Sequence, residues 1–140
     1  MLKCPHCGKT LVHGSLYAVP FAGERVHHGG WGCYGSEGCG AYLMIQRVLD
    51  KALIYAFENK CNLQLNKVEY YLLDNNIEEI LLRKDNTVEI RWRDGEVSTE
   101  SLDIYHLQFD PVSSATRYNA FLEKVRSGKT KVKSKFLLGL

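Results

Sequence analysis

The 140-residue sequence predicts an α+β chain, and three observations carry that prediction. Two glycine-containing corners each hold a pair of cysteines near the start. Residues 46–60 space their apolar side chains as a helix does, and residues 80–93 alternate apolar with polar side chains as a half-buried strand pair does. The expected architecture is an N-terminal four-cysteine ribbon over residues 1–45 and an α+β region over 46–128. The second region holds a helix, a small antiparallel sheet and a C-terminal helix, and a basic and apolar tail follows over 129–140.

The first corner is Cys4-Pro5-His6-Cys7-Gly8. Two cysteines separated by two residues and followed by glycine form a tight turn in which backbone amides point at the sulfurs while both sulfurs face one ion. The second, Cys33-Tyr34-Gly35-Ser36-Glu37-Gly38-Cys39-Gly40, is longer, and its glycines ease the turn. The chain between Cys7 and Cys33 is long enough for a hairpin that leaves the metal and returns. Leu11 to Val19 and Val26 to Trp31 are the expected strands, with Pro20, Ala22, Gly23 and Glu24 turning between them. Tyr42 to Ile45 supplies a third strand.

Four thiolates select one structural Zn2+ held by Cys4, Cys7, Cys33 and Cys39, a closed site without an open position for water. The alternative is a mixed site in which His27 or His28 replaces Cys33 or Cys39. His6, His13 and His106 read as surface or hydrogen-bonded histidines. Cys61, apart from both corners, reads as a buried thiol.

Over residues 4–45 the order Cys-Pro-His-Cys-Gly, hairpin, Cys, short turn and Cys-Gly, followed by Tyr42, resembles zinc ribbons in general. It also loosely resembles the Ogr/Delta family of phage late-gene transcription activators. In that family the gap between the cysteine pairs and the last corner are each somewhat shorter. The resemblance implies a small phage or bacterial regulator that touches DNA and RNA polymerase, with the same four cysteines as ligands.

Beyond the ribbon, Leu49, Leu53, Ala56 and Phe57 recur at helical spacing, with Val48 and Ala52 widening the face. From Asn62 to Asn76 two patterns compete: Leu63 and Leu65 alternate like a strand, while Val68, Tyr71 and Leu72 are spaced like a short helix. Ile80 and Leu82, then Val88, Ile90 and Trp92, read as a hairpin turning at Asp85-Asn86. Asp94-Gly95 marks a second turn, and Leu102 to Phe109 is expected as a third strand or short helix. After Asp110-Pro111, Ser113 or Ser114 caps a helix with Ala115, Tyr118, Leu122 and Val125 on one face and Gly128 at its end.

Charge is unevenly distributed. The formal net charge is +2, yet residues 74–110 carry ten Asp or Glu against four Lys or Arg, whereas residues 117–140 carry seven Lys or Arg against Glu123 alone. Met1-Leu2-Lys3-Cys4 leaves no room for a secretory signal, and no apolar run approaches the ~18 residues a membrane span needs. Clustered cysteines read as ligands in a reducing, cytoplasmic compartment.

No Gly-x4-Gly-Lys-Ser/Thr phosphate loop and no Gly-x-Ser-x-Gly elbow occurs, and His27 and His28 lack the following glutamate of a zinc deaminase. A non-catalytic binding protein is therefore expected. Arg117, Lys124, Arg126, Lys129, Lys131, Lys133 and Lys135 are the candidate contacts to DNA, RNA or RNA polymerase. The alternative partner is a protein bound by the acidic 74–110 segment, with no nucleic acid involved.

Overall fold

A computed structural model describes residues 2–21, 24–33, 38–62, 68, 70–103, 120 and 122–130; for 15–21, 24–28, 70 and 71 it describes the backbone. The order is β1 (Val12–Phe21), β2 (Glu24–Gly32), β3 (Leu43–Ile45), α1 (Gln46–Cys61), α2 (Tyr70–Asn76), β4 (Ile77–Leu82), β5 (Thr87–Trp92) and β6 (Val97–Ser101). Residues 120 and 122–126 are helical and supply the expected C-terminal helix. The strands form two three-stranded antiparallel sheets, β1-β2-β3 and β4-β5-β6.

The first hairpin is longer than its apolar pattern suggested, because pairing runs from Val12↔Gly32 to Phe21↔Glu24 and draws Pro20 and Glu24 into the ladder. Pro20 has no N–H to donate, and it lies on the outer strand of its sheet, where one edge of the backbone needs no partner. β3 then feeds α1 with no intervening loop. The helix ends at Asn62, whose φ of 55° places it in the left-handed region that asparagine tolerates.

Of the ambiguous stretch after α1, Tyr71 and Leu72 fall in the helix α2, Val68 precedes it, and Leu63 and Leu65 lie outside the described residues. In β4, pairing shifts between Ile77↔Trp92 and Glu79↔Arg91, a bulge that absorbs one residue. It lets Ile77 reach the core alongside Leu82 although simple alternation would separate them. The turn falls at Asp85-Asn86: Asn86 has φ 61°, and Thr87 donates to the Asp85 carboxylate through Oγ1 at 2.6 Å and through its backbone N–H at 3.2 Å.

The third strand departs from expectation. It is Val97–Ser101, directly after the Asp94-Gly95 turn, and does not begin at Leu102. The turn is so tight, with Trp92 N–H donating to the Glu96 carbonyl at 2.9 Å, that pairing resumes at once at Arg91↔Val97. Leu102 is a buried residue after the strand, and 104–109 lie outside the described residues.

One contiguous core joins these parts. Tyr42, Leu43, Met44 and Ile45 are buried from the ribbon side, Val48, Leu49, Ala52, Leu53, Ala56 and Phe57 from α1, and Val88, Ile90 and Trp92 from β5. Leu122 and Val125 are buried from the C-terminal helix; Ala115, Tyr118, Ser113 and Ser114 lie outside the described residues. Phe57 meets Trp92 edge-on with centroids 5.0 Å apart, and the Trp92 indole N–H donates to Ser98 Oγ at 2.7 Å.

The C-terminal helix stops at Gly128 as predicted. Gly128 has φ 77°, its N–H donates to the Val125 carbonyl at 3.1 Å, and Lys129 N–H reaches the Lys124 carbonyl at 2.9 Å. This pair of bonds is a Schellman ending, which requires a left-handed residue at that place.

Candidate metal centre

The first corner is the turn of a short hairpin. Leu11 N–H donates to the Leu2 carbonyl, Lys3 bridges Thr10, and Cys4 N–H donates to the Lys9 carbonyl at 2.8 Å. Gly8, at φ 79°, donates its N–H to the Cys4 carbonyl at 2.8 Å and so closes the turn.

The second corner repeats the device. Gly40, at φ 70°, donates to the Cys33 carbonyl at 2.8 Å, Cys39 N–H points at Cys33 Sγ at 3.3 Å, and Cys33 N–H is anchored on the Tyr42 carbonyl. Residues 34–37, the arc of this corner, lie outside the described residues.

Together the corners bring the four sulfurs of Cys4, Cys7, Cys33 and Cys39 within 4.8 Å of one another, a set that can hold one metal ion. Cys4 Sγ is 3.7 Å from Cys39 Sγ, and Cys33 Sγ is 3.5 Å from both Cys7 Sγ and Cys39 Sγ. A tetrahedral ion with metal–sulfur bonds of about 2.3 Å has sulfur–sulfur edges of about 3.8 Å, whereas a disulfide needs about 2.05 Å. The sulfurs are thus spaced for a shared ion, and all are free thiols.

The two histidines weighed as replacements are not needed to complete this set. In β2, His28 pairs with Tyr17 and His27 with Ala18. At 3.3 Å per residue, the backbone of His28 lies roughly 16 Å along the strand from Cys33.

The thiols sit in unlike surroundings. Burial pushes Cys4 up to about 12 and also raises Cys33, whereas the backbone N–H of Lys9 draws the exposed Cys7 down to about 7. His6 stacks at a tilt against Tyr42, 6.1 Å between centroids. His13 is hydrogen-bonded to Gln46 at 3.0 Å and lies edge-on to Trp31, as a histidine without a ligand role would; His106 lies outside the described residues.

Two expectations about other site residues are overturned. Cys61 is exposed, because it ends α1 where the helix leaves the core. Arg126, one of the cationic candidates, is 2% exposed and cannot meet a phosphate backbone. Its Nε donates to the Leu43 carbonyl at 3.2 Å, Nη1 to Asn86 Oδ1 at 3.1 Å, and Nη2 approaches Met44 Sδ at 3.0 Å. Its guanidinium also stands 5.7 Å from the centroid of the Tyr42 ring.

Of the remaining cationic candidates, Lys124 and Lys129 are exposed, while Arg117, Lys131, Lys133 and Lys135 lie outside the described residues. The acidic segment is partly neutralised from within the fold. Glu89 pairs with Arg83 and Arg91, Glu78 with Arg93, and Asp94 and Glu96 with Lys60 of α1. Lys60 lowers Asp94 below the usual carboxylate range, and Arg83 does the same for Glu89.

A separate feature escaped sequence reading. A cleft of about 410 Å³ lies between α1 and β4; none of the four cysteines lines it, and Asp50 and Asp74 do. Its only sequence signal is Asp50, which interrupts the apolar run of α1. No helix among the described residues is long and apolar enough to cross a membrane. Comparison of the chain with protein-family models, with curated proteins and with solved structures finds no match in any of the three.

Proposed function

We propose that this is a non-catalytic binding protein whose N-terminal ribbon is held by one structural Zn2+. The observation that carries this reading is the sulfur spacing of 3.5 to 3.7 Å, which suits the tetrahedral thiolate coordination that zinc accepts without demanding any other geometry. Four protein ligands leave the ion no open position, so its part is to hold Cys4 and Cys33 in the core and not to activate water. Metal analysis of the purified chain tests this. One zinc per chain, lost together with near-UV circular dichroism on chelation, is the expected result.

Contact with nucleic acid or with transcription machinery, as in a phage or bacterial regulator, is the first partner reading. It is supported by exposed Lys124 and Lys129 and by the lysines that follow them in sequence. The loss of Arg126 to the core weakens it. A titration against duplex and single-stranded DNA and RNA at rising salt tests it, because released counterions make such binding fall steeply with salt.

A protein partner engaged by the acidic segment is the second reading. The observation that favours it is that Asp74, Glu78 and Glu79 border a cleft of mixed apolar and acidic lining, a surface that repels phosphate and suits a basic polypeptide.

A further inference from the structure

We propose that the cleft between α1 and β4 is the docking site for a basic, apolar-flanked peptide segment of a partner protein. The inference rests on the second reading above and gives it a place and a chemistry. A volume of about 410 Å³ falls in the range of ligand-binding clefts and accommodates a few side chains.

The walls are mixed, and their apolar part comes from several elements: Leu49 and Leu53 of α1, Leu73 of α2, Ile77 and Ile80 of β4, and Trp31 of β2. Four carboxylates, of Asp50, Asp74, Glu78 and Glu79, face one cation, Arg93. That cation is already engaged, because Arg93 Nη1 binds the Glu78 carboxylate at 2.8 Å and Nε donates to the Asp74 carbonyl at 2.7 Å. Glu79 has Arg91 at 3.4 Å, and among the described residues Asp50 and Asp74 are the two carboxylates of the cleft without an ion pair, open to a charge from outside.

Asp50 is the more telling of the two. It is half-buried on the helix beside Leu49 and Leu53 of the cleft wall, and burial raises its pKa, so an incoming ammonium or guanidinium offsets a desolvation the fold has already imposed. The Trp31 ring in the same wall offers a face for the cation or its methylene stem. The backbone contributes as well. β4 is the outer strand of β4-β5-β6 and, among the described residues, has a sheet neighbour on one side only, so an extended segment lying in the cleft meets unpaired strand groups along Ile77–Ile80.

The test is an anisotropy titration of the full-length, zinc-loaded chain with a labelled Lys-Val-Lys-Leu-Lys-Phe peptide and with its Glu-for-Lys counterpart. The lysine peptide is expected to bind and the glutamate peptide not. Affinity is expected to fall about tenfold when D50N and D74N are combined. Asp74 is exposed, so D74N alone preserves the fold and must show part of that loss even where D50N perturbs packing.

Lysine-peptide binding untouched by either variant places the contact elsewhere on the acidic segment, which overturns the cleft but leaves the second reading standing. The same titration on K131A/K133A/K135A shows whether the chain's own lysines compete. Binding that appears only there makes the chain its own occupant and overturns the assignment to a partner, and binding in neither chain overturns both the cleft and the reading behind it.

Discussion

Arg126 donates to the side-chain oxygen of Asn86 at 3.1 Å, joining the C-terminal helix to the β4–β5 turn. With its second bond to the Leu43 carbonyl, one guanidinium binds the ends of both sheets. A cation that reads in sequence as a surface contact is here a buried structural post.

Arg126→Ala strands the buried Leu43 carbonyl and frees the half-buried Asn86 amide oxygen, and an unsatisfied buried acceptor costs about 1–3 kcal/mol. Urea denaturation should show that loss as a lower midpoint. The salt slope of any nucleic-acid binding should stay unchanged.

Cys4→Ser and Cys33→Ser are each expected to drop metal content well below one ion per chain and to loosen the ribbon, since both sulfurs are buried where an uncoordinated hydroxyl is disfavoured. Elemental analysis beside circular dichroism checks this. Retention of a full ion by C33S would remove it from the ligand set.

Phe57→Ala opens a cavity under the Trp92 ring and should cost about 3–5 kcal/mol. Trp92 fluorescence and the denaturation midpoint are expected to shift together.

Gly128→Ala places a Cβ in the left-handed conformation that ends the C-terminal helix, at a cost of about 1–2 kcal/mol. Among the described residues, chain neighbours aside, no atom lies within 4 Å of the added carbon, so the loss is conformational and not steric.

Asp50→Asn tests the pH dependence. Burial raises the folded-state pKa of Asp50, so the favourable protonated state contributes fully below the unfolded value and is lost as pH rises through the raised one. The asparagine variant should therefore be more stable than the native chain at pH 7, with the advantage vanishing below about pH 4. Paired denaturation curves at the two pH values measure it.

The cysteine corners, α1 and the β4–β5 hairpin were legible because each is encoded locally. Spacing of Cys4 and Cys7, the period of Leu49, Leu53, Ala56 and Phe57, and the alternation of Val88, Ile90 and Trp92 need no distant partner to be read. β6 was not, since Val-Ser-Thr-Glu-Ser has one apolar residue and that one, Val97, is exposed. Its pairing is imposed by the turn at Asp94-Gly95, and Ser98 faces inward to take the Trp92 indole N–H. Burial of Arg126 was equally hidden, because its acceptors Leu43 and Asn86 are distant in sequence and meet only in the folded chain. The cleft depends on side chains gathered from five parts of the chain, and a single aspartate inside a helix could not announce it.

Strand β3 passes into α1 without a loop, and the sulfurs of Cys4 and Cys33 belong to the same buried cluster as Ile90 and Leu122. An ion held by these sulfurs would therefore tie the ribbon into the core of the whole chain and not merely close one end of it. Chelation of an ion held there is expected to raise the protease sensitivity of the core as well as of the ribbon, and limited proteolysis with and without chelator measures it.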